Sequence, residues 1–339
     1  MKKKSTTLLL FLLIAIAMLS WSVFGPTVSN PKEKYLYIPK GSDLAQVKDS
    51  LSINEMVNPI FTFGLLSKLM NYENNIKPGK YQITDRMSLF SLVRMLKNGR
   101  QAEVRLVITK LRTRADLAKK INEKFDIDYE EAMLYLNSND SLKTLGVDTS
   151  TLMTLLIPNS YLFWWNTSLP DLLKRLQKQH DYFWEGERTE KAKALGFSTQ
   201  EIYTIASIVE EETNKKEDKG KIARVYMNRI KKGMKLEADP TVKFAMRNFT
   251  LTRIMYKHLD HPSVYNTYYQ KGLPPGPICT PSMETIDEVL DSEPSEHIFF
   301  VAKPDFKGYS NFSSTYPEHQ RFAKQYQQAL DSLIASKKK

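Results

Sequence analysis

The sequence predicts an α+β protein in three parts: an apolar N-terminal helix, a small α+β unit, and a larger, mainly helical unit with some strands. Three observations carry this prediction. An apolar run from Leu8 to Phe24 follows three lysines. Short strand-turn-helix phrases recur between Tyr35 and Ile121. Most of the remainder repeats its apolar residues at the helical period, interrupted by brief strand-like runs. With 339 residues, 42% of them hydrophobic, the chain has the length for two folded units and the apolar content for their cores.

Lys2, Lys3 and Lys4 precede a segment without charge until Lys32. Its apolar heart approaches the roughly 20 residues needed to cross a bilayer. Residues 1–6 therefore read as a cytoplasmic tail and 7–25 as a transmembrane anchor, with everything after Pro26 outside the membrane. A cleaved signal peptide is the alternative, since Leu8 to Leu19 is also of signal-peptide length; the absence of a small-x-small site soon after Leu19 favours the anchor. Cys279 stands alone, so neither an intramolecular disulfide nor a cysteine zinc site is expected. The formal charge of +11 is spread along the chain without an aromatic-basic binding module, which argues against nucleic acid and for anionic lipid or wall polymer.

From Tyr35 to Ile38 a short strand leads through Pro39-Lys40-Gly41-Ser42 into a helix carrying Leu44, Val47 and Leu51. Tyr81 to Thr84 leads likewise to Leu89, Leu92, Val93 and Leu96, and Val104 to Thr109 to Leu117, Ala118 and Ile121. Residues from Thr109 to Tyr182 read as mostly helical, with Tyr129 to Leu136 and Leu169 to Gln179 the clearer runs. Between them, the aromatic run Tyr161 to Trp165 suits core packing or a wall for sugar rings.

Ser198 with Glu201 three positions on forms a capping-box start, and Ile202, Ile205, Ala206 and Val209 then recur at helical spacing, giving a helix from Thr199 to about Thr213. At roughly 100° per residue, Glu212 falls beside Ile205 and Ile208 on the buried stripe, Glu211 points nearly opposite toward solvent, and Glu210 lies near the boundary. A carboxyl turned into an apolar face loses hydration and gains pKa, as an acid working near neutral pH requires. Two readings stand: a poised acid, or a solvated helix end. A second helix follows through Ile222, Val225, Tyr226, Arg229 and Ile230 to a stop at Gly233, and Asp239-Pro240 reads as the N-cap and first residue of a third. Gly272 to Pro277 is a stiff loop, Ile298 to Ala302 a buried strand, and Tyr316 to Leu333 a closing helix.

Ala206-Ser207-Ile208-Val209-Glu210-Glu211-Glu212-Thr213, then Val225, Asn228-Arg229, Gly233-Met234, Leu236 and Asp239-Pro240-Thr241-Val242, resembles the signature of the YceG-like family, the MltG endolytic murein transglycosylases. Tyr265-Asn266-Thr267-Tyr268 and Gly272 to Ile278 are similar to its other two blocks. Two departures occur: Pro158-Asn159-Ser160-Tyr161 where the family often has Pro-Asp, and Ile278-Cys279-Thr280-Pro281-Ser282 where it usually has Ile-x-Asn-Pro-Gly.

The resemblance implies a LysM-like module over 33–105 and a catalytic domain over 106–335, in a protein of the cell membrane with its catalytic part extracytoplasmic. It implies that Glu212 is the catalytic glutamate, the residue the helical-face argument selects independently. It implies cleavage of the bond between N-acetylmuramic acid and N-acetylglucosamine inside a peptidoglycan strand, leaving 1,6-anhydro ends, without metal or cofactor, and penicillin-binding proteins or other elongation components as expected partners. Asn228, Arg229, Asp239, Tyr265, Asn266 and Thr267 match family blocks and are candidate substrate contacts, Asp239 having the alternative of a helix cap. His258 and His261 have metal-ligand spacing, but Pro262 follows and no carboxylate-rich motif completes a site. Two other functions remain to be separated from the first: a hydrolytic muramidase, needing a second carboxylate such as Asp239 or Glu237, and a wall-binding scaffold without activity.

Overall fold

The computed structural model describes residues 2–29 and 34–337. It is a mainly helical α+β structure whose described strands form two-stranded sheets. The chain separates into two compact units. One comprises Met1–Leu106, Ile121–Asp128 and Leu162–Leu169; the other comprises Val107–Lys120, Tyr129–Tyr161 and Pro170–Lys339.

The first unit begins with α1 (Lys2–Phe24). The anchor expected over 7–25 starts among residues whose side chains lie outside those described, and among the described residues no helix is long and apolar enough to cross a membrane. From Leu9 to Phe24 most of its large apolar side chains stand exposed. Strand β1 (Tyr35–Ile38) pairs antiparallel with β2 (Gly79–Gln82), Tyr35 opposite Gln82 and Ile38 opposite Gly79. Alternation along these strands turns Leu36, Ile38 and Tyr81 into the core. There they meet Val47 and Leu51 of α2 (Leu44–Ile53), Phe63 of α3 (Ile60–Leu69), and Leu89, Leu92, Val93 and Leu96 of α4 (Leu89–Asn98). Asp43 and Gln46 close a capping box on α2, and Ser88 caps α4. The sequence pattern does not announce α3: its apolar residues lack a clean stripe.

Strand β3 (Glu103–Ile108) pairs with β4 (Asn159–Trp164). The aromatic run expected in a mostly helical stretch is thus strand as far as Trp164, with Trp165 in the turn that follows. Period-two alternation buries Tyr161 and Phe163 and leaves Leu162 and Trp164 exposed, so the run divides between core and surface.

The second unit takes its helices in order: α5 (Arg114–Asn122), α6 (Tyr129–Leu136), α7 (Asn139–Leu142), α8 (Leu169–Trp184), α9 (Glu187–Leu195), α10 (Thr199–Glu212), α11 (Lys216–Lys231), α12 (Asp239–Ala245), α13 (Tyr256–Leu259) and α14 (Met283–Leu290). A hairpin, β5 (Phe299–Ala302) with β6 (Ser310–Ser313), and α15 (Tyr316–Lys337) follow. The hairpin strand expected to be buried is only half-buried. At the centre lies α10, started by the expected Ser198–Glu201 capping box and packed against α9, α11, α12 and α14. Every residue from Ile202 to Val209 is buried, so this helix has no solvent face along its middle.

Candidate active site

The end of α10 delivers three consecutive glutamates into three different environments. Because the helix is enclosed, its last turn does not divide into a core face and a water face. Glu211, expected to point to solvent, is instead held by Lys110 at 3.1 Å and by Arg112 at 3.0 and 3.2 Å, and the attraction of these cations outweighs the burial that opposes it, lowering its pKa. Glu210 takes hydrogen bonds from Ser282 at 3.1 Å and from Thr285, with the buried Lys219 ammonium 3.6 Å away. Ser282 also caps α14, and Cys279 and Thr280 are buried, so the departing run after Ile278 forms packing beneath the acidic triplet.

Glu212 differs from both. Its carboxyl accepts one hydrogen bond, from the Tyr226 phenol at 2.8 Å, and makes no salt bridge among the described residues. Part of the residue's surface remains open, but protein surrounds the carboxyl densely enough that lost hydration pushes its pKa up to about 7. The Tyr226 hydrogen bond opposes that rise, Asp239 adds to it, and Lys243 one turn farther along α12 partly offsets Asp239. A carboxyl so placed carries its proton near neutral pH and is able to release and recover it.

The other candidate residues occupy two kinds of position. Asn228 gives both amide hydrogens to the chain, to the Ser295 carbonyl at 2.7 Å and the His297 carbonyl at 2.9 Å. Arg229 binds the carbonyls of Ile298 at 2.7 Å and Leu236 at 2.9 Å and the Glu237 carboxylate at 3.1 Å. Fully buried Asn266 ties the Leu259 and His261 carbonyls together, and Thr267 accepts from the Ala238 N–H and meets the Thr241 hydroxyl. These four side chains brace the loops around the site. Asp239 and Tyr265 reach open surface. Asp239 is not the cap of α12, which Ala238 provides; its carboxylate accepts from the Tyr268 phenol at 2.8 Å and borders a cavity of about 450 Å³ shared with Met255 and Tyr256. Tyr265 lines a separate cavity.

Two tyrosines escape the pattern reading. Tyr226 sits on the apolar stripe of α11 and looks like core, and it is buried, yet its hydroxyl ends on Glu212. Tyr268 stands in a motif without a distinguishable role until its phenol is seen on Asp239. His258 is also turned inward, its Nδ1 accepting from the Met255 N–H at 3.2 Å, and among the described residues no cluster of three or more His, Cys, Asp or Glu has the arrangement of a metal site.

The chain matches the model of the YceG-like family over residues 36–325. It is 29% identical over 328 residues to a protein of Bacillus subtilis (strain 168) named endolytic murein transglycosylase, the alignment covering 90% of this chain and 89% of that one. A protein of the same name from Streptococcus pneumoniae serotype 2 (strain D39) is 27% identical over 315 residues, with 82% of this chain and 56% of the relative covered. Among solved structures, a YceG-like protein of Listeria monocytogenes superposes with a TM-score of 0.56 at 25% identity, over 85% of this chain and 97% of that chain.

Proposed function

The chain belongs to the YceG-like family, and from that premise we propose that it is a membrane-anchored endolytic lytic transglycosylase of peptidoglycan. The single observation that carries the proposal is the Glu212 carboxyl: half-buried, hydrogen-bonded among the described residues through Tyr226, and with its pKa pushed up to about 7 by lost hydration. Protonated Glu212 donates to the glycosidic oxygen between N-acetylmuramic acid and N-acetylglucosamine as the bond from the muramyl anomeric carbon breaks. The muramyl C6 hydroxyl attacks that carbon, its proton passes to the Glu212 carboxylate, and a 1,6-anhydro ring closes. The acid is regenerated and no water is consumed. Because the nucleophile belongs to the substrate, one carboxyl suffices, and correct orientation supplies much of the rate.

The cavity beside Asp239 and Tyr268 suits a glycan strand. Tyr256, 90% exposed, offers a flat apolar face of the kind sugar rings stack on, and Asp239 and Tyr268 offer polar atoms for hydroxyl or acetamido groups. Asn228, Arg229, Asn266 and Thr267 act in this reading through the loops they hold; Tyr265 and Asp239 act at the surface. The module over 33–105 is assigned as LysM-like and residues 7–25 as a single-pass anchor with a cytoplasmic N-terminus. The catalytic part then lies outside the membrane beside nascent wall, near penicillin-binding proteins or other elongation components.

A muramidase reading would recruit Asp239 or Glu237 as the second carboxylate. Glu237 is engaged by Arg229 and Asp239 by Tyr268, which favours the single-carboxyl mechanism. Digestion of purified glycan strands tests the proposal. Fragments should end in anhydromuramyl residues, and Glu212→Gln should lower their release by at least about a hundredfold, in line with the loss of a general acid. Muramyl ends heavier by one water would point to hydrolysis. Undiminished release by a folded Glu212→Gln protein would leave the scaffold reading in its place.

A further inference from the structure

The second unit contains a cavity of about 260 Å³ whose lining includes three arginines, Arg112, Arg114 and Arg247, together with Tyr265. Three like charges around one small space repel unless something neutralises them. Arg112 is neutralised by Glu211. Arg114 and Arg247 are not: among the described residues neither makes a salt bridge. Arg114 donates to the Thr149 carbonyl at 2.8 Å, and Arg247 lies 4.6 Å from the centre of the Phe244 ring. Asp148 favours the Arg114 charge without forming a salt bridge to it, and its Oδ1 is taken up by the hydroxyls and N–H groups of Ser150 and Thr151. Burial and Arg247 disfavour the Arg114 charge and together outweigh Tyr265 and Asp148, which favour it, so the pair is held together at a cost.

The backbone at Arg247 adds a second cost. Asn248 N–H bonds the Lys243 carbonyl and Arg247 N–H the Phe244 carbonyl, each at 3.0 Å, the pattern of a helix end whose C′ residue is left-handed. Arg247 has φ of 52° at that position, where glycine is the unstrained choice. Between the lining residues Pro275 and Pro277, Gly276 packs so tightly that a Cβ there would stand 2.0 Å from the carbonyl of Ser150, another lining residue. A rigid pocket that keeps an arginine in a glycine conformation beside another unpaired arginine has the features of a site built for an anion.

We infer that this cavity is an anion subsite that receives a carboxylate carried on the lactyl side chain of a muramyl residue, either a carboxylate of the peptide stem or the lactyl group itself. The inference rests on the transglycosylase reading, because the sugar backbone is neutral and the lactyl branch is where a murein strand bears negative charge. The cavity adjoins the proposed acid through Arg112, which binds the neighbouring Glu211, and through α12, which carries Asp239 and Lys243 toward Glu212 and Phe244 into the cavity.

Binding is measured with the full-length protein in detergent carrying Glu212→Gln, so that strands are held without being cut. Three probes are used: strands with intact stems, strands whose stem carboxylates have been converted to methylamides, and strands stripped of stems to free the lactyl carboxylate. Arg247→Gly should weaken binding of the intact strands about fivefold, and adding Arg114→Gln should weaken it further, with little change for the amidated strands. Arginine dependence confined to the intact strands assigns the stem; dependence confined to the stripped strands, whose lactyl carboxyl is no longer amide-linked, assigns the lactyl group. Because glycine relieves the left-handed position, the thermal midpoint of Arg247→Gly should be unchanged or raised, which separates lost binding from lost folding. Equal affinity of Arg247→Gly and its parent for every anionic strand would overturn the inference. If the protein with Glu212 intact cuts none of the strands while binding still depends on the arginines, the transglycosylase reading fails and the subsite stands.

Discussion

At Glu212, loss of hydration raises the carboxyl pKa, and the Tyr226 phenol limits the rise by hydrogen-bonding the charged form. An acid of this kind should lose activity as pH climbs through about 7. Tyr226→Phe removes the bond that favours the carboxylate, so the alkaline limb of the pH–rate profile should move upward by about half to one pH unit. The same burial has a stability consequence. The folded-state pKa lies above the ordinary glutamate value, so the folded protein binds this proton more tightly than the unfolded chain does. That contribution is complete below the unfolded pKa and is lost as pH rises to about 7. Glu212→Gln escapes the loss. It should therefore match the parent in thermal melting at about pH 4, below the unfolded pKa, and exceed it at about pH 8, by roughly 3 kcal/mol for the whole shift.

Elements set where these side chains stand. Helix α10 begins where its capping box predicts, but its buried run from Ile202 to Val209 wraps the full circumference, because α9, α11, α12 and α14 enclose it. A hydrophobic stripe identifies one face only when the other meets water. Hence the spacing located Glu212 on an apolar face, while Glu211 met Lys110 and Arg112 rather than solvent. Helix α11 is tied to the segment preceding β5 by Asn228, whose amide serves two carbonyls. Asn228→Ala leaves both without that donor and should destabilise the protein by about 1–3 kcal/mol, seen as a lower midpoint in urea at every pH tested. A change confined to substrate affinity, with stability intact, would instead place Asn228 against the glycan.

At the scale of the whole molecule, each unit has its own core: Leu36, Leu51, Phe63, Tyr81 and Leu92 in one, and Ile202, Ile205, Ile208, Tyr226 and Leu236 in the other. A formal charge of +11 and an apolar N-terminal run make different predictions for attachment to a membrane. Attraction between charges weakens once salt shortens the Debye length, whereas an inserted apolar helix resists salt and yields to detergent. The full-length protein is expected to stay with membranes through a high-salt wash, to leave them in detergent, and to keep its complete mass. Loss of the first two dozen or so residues from the membrane-bound form would sink the anchor reading.

The sequence alone determined the local order: the capping box at Ser198, the strand from Tyr35, the extended run from Val104, the stiff loop from Gly272, and the family through the run ending Glu212-Thr213. These are short-range matters of period, capping and covalent restriction, legible over a few residues. Only the tertiary structure decided that Tyr161 to Trp164 lies in a strand, that Asp239 meets Tyr268 instead of capping α12, and that Tyr226 joins Glu212 from fourteen residues away. Each depends on which groups distant in the chain displace water from one another, and no local period encodes that.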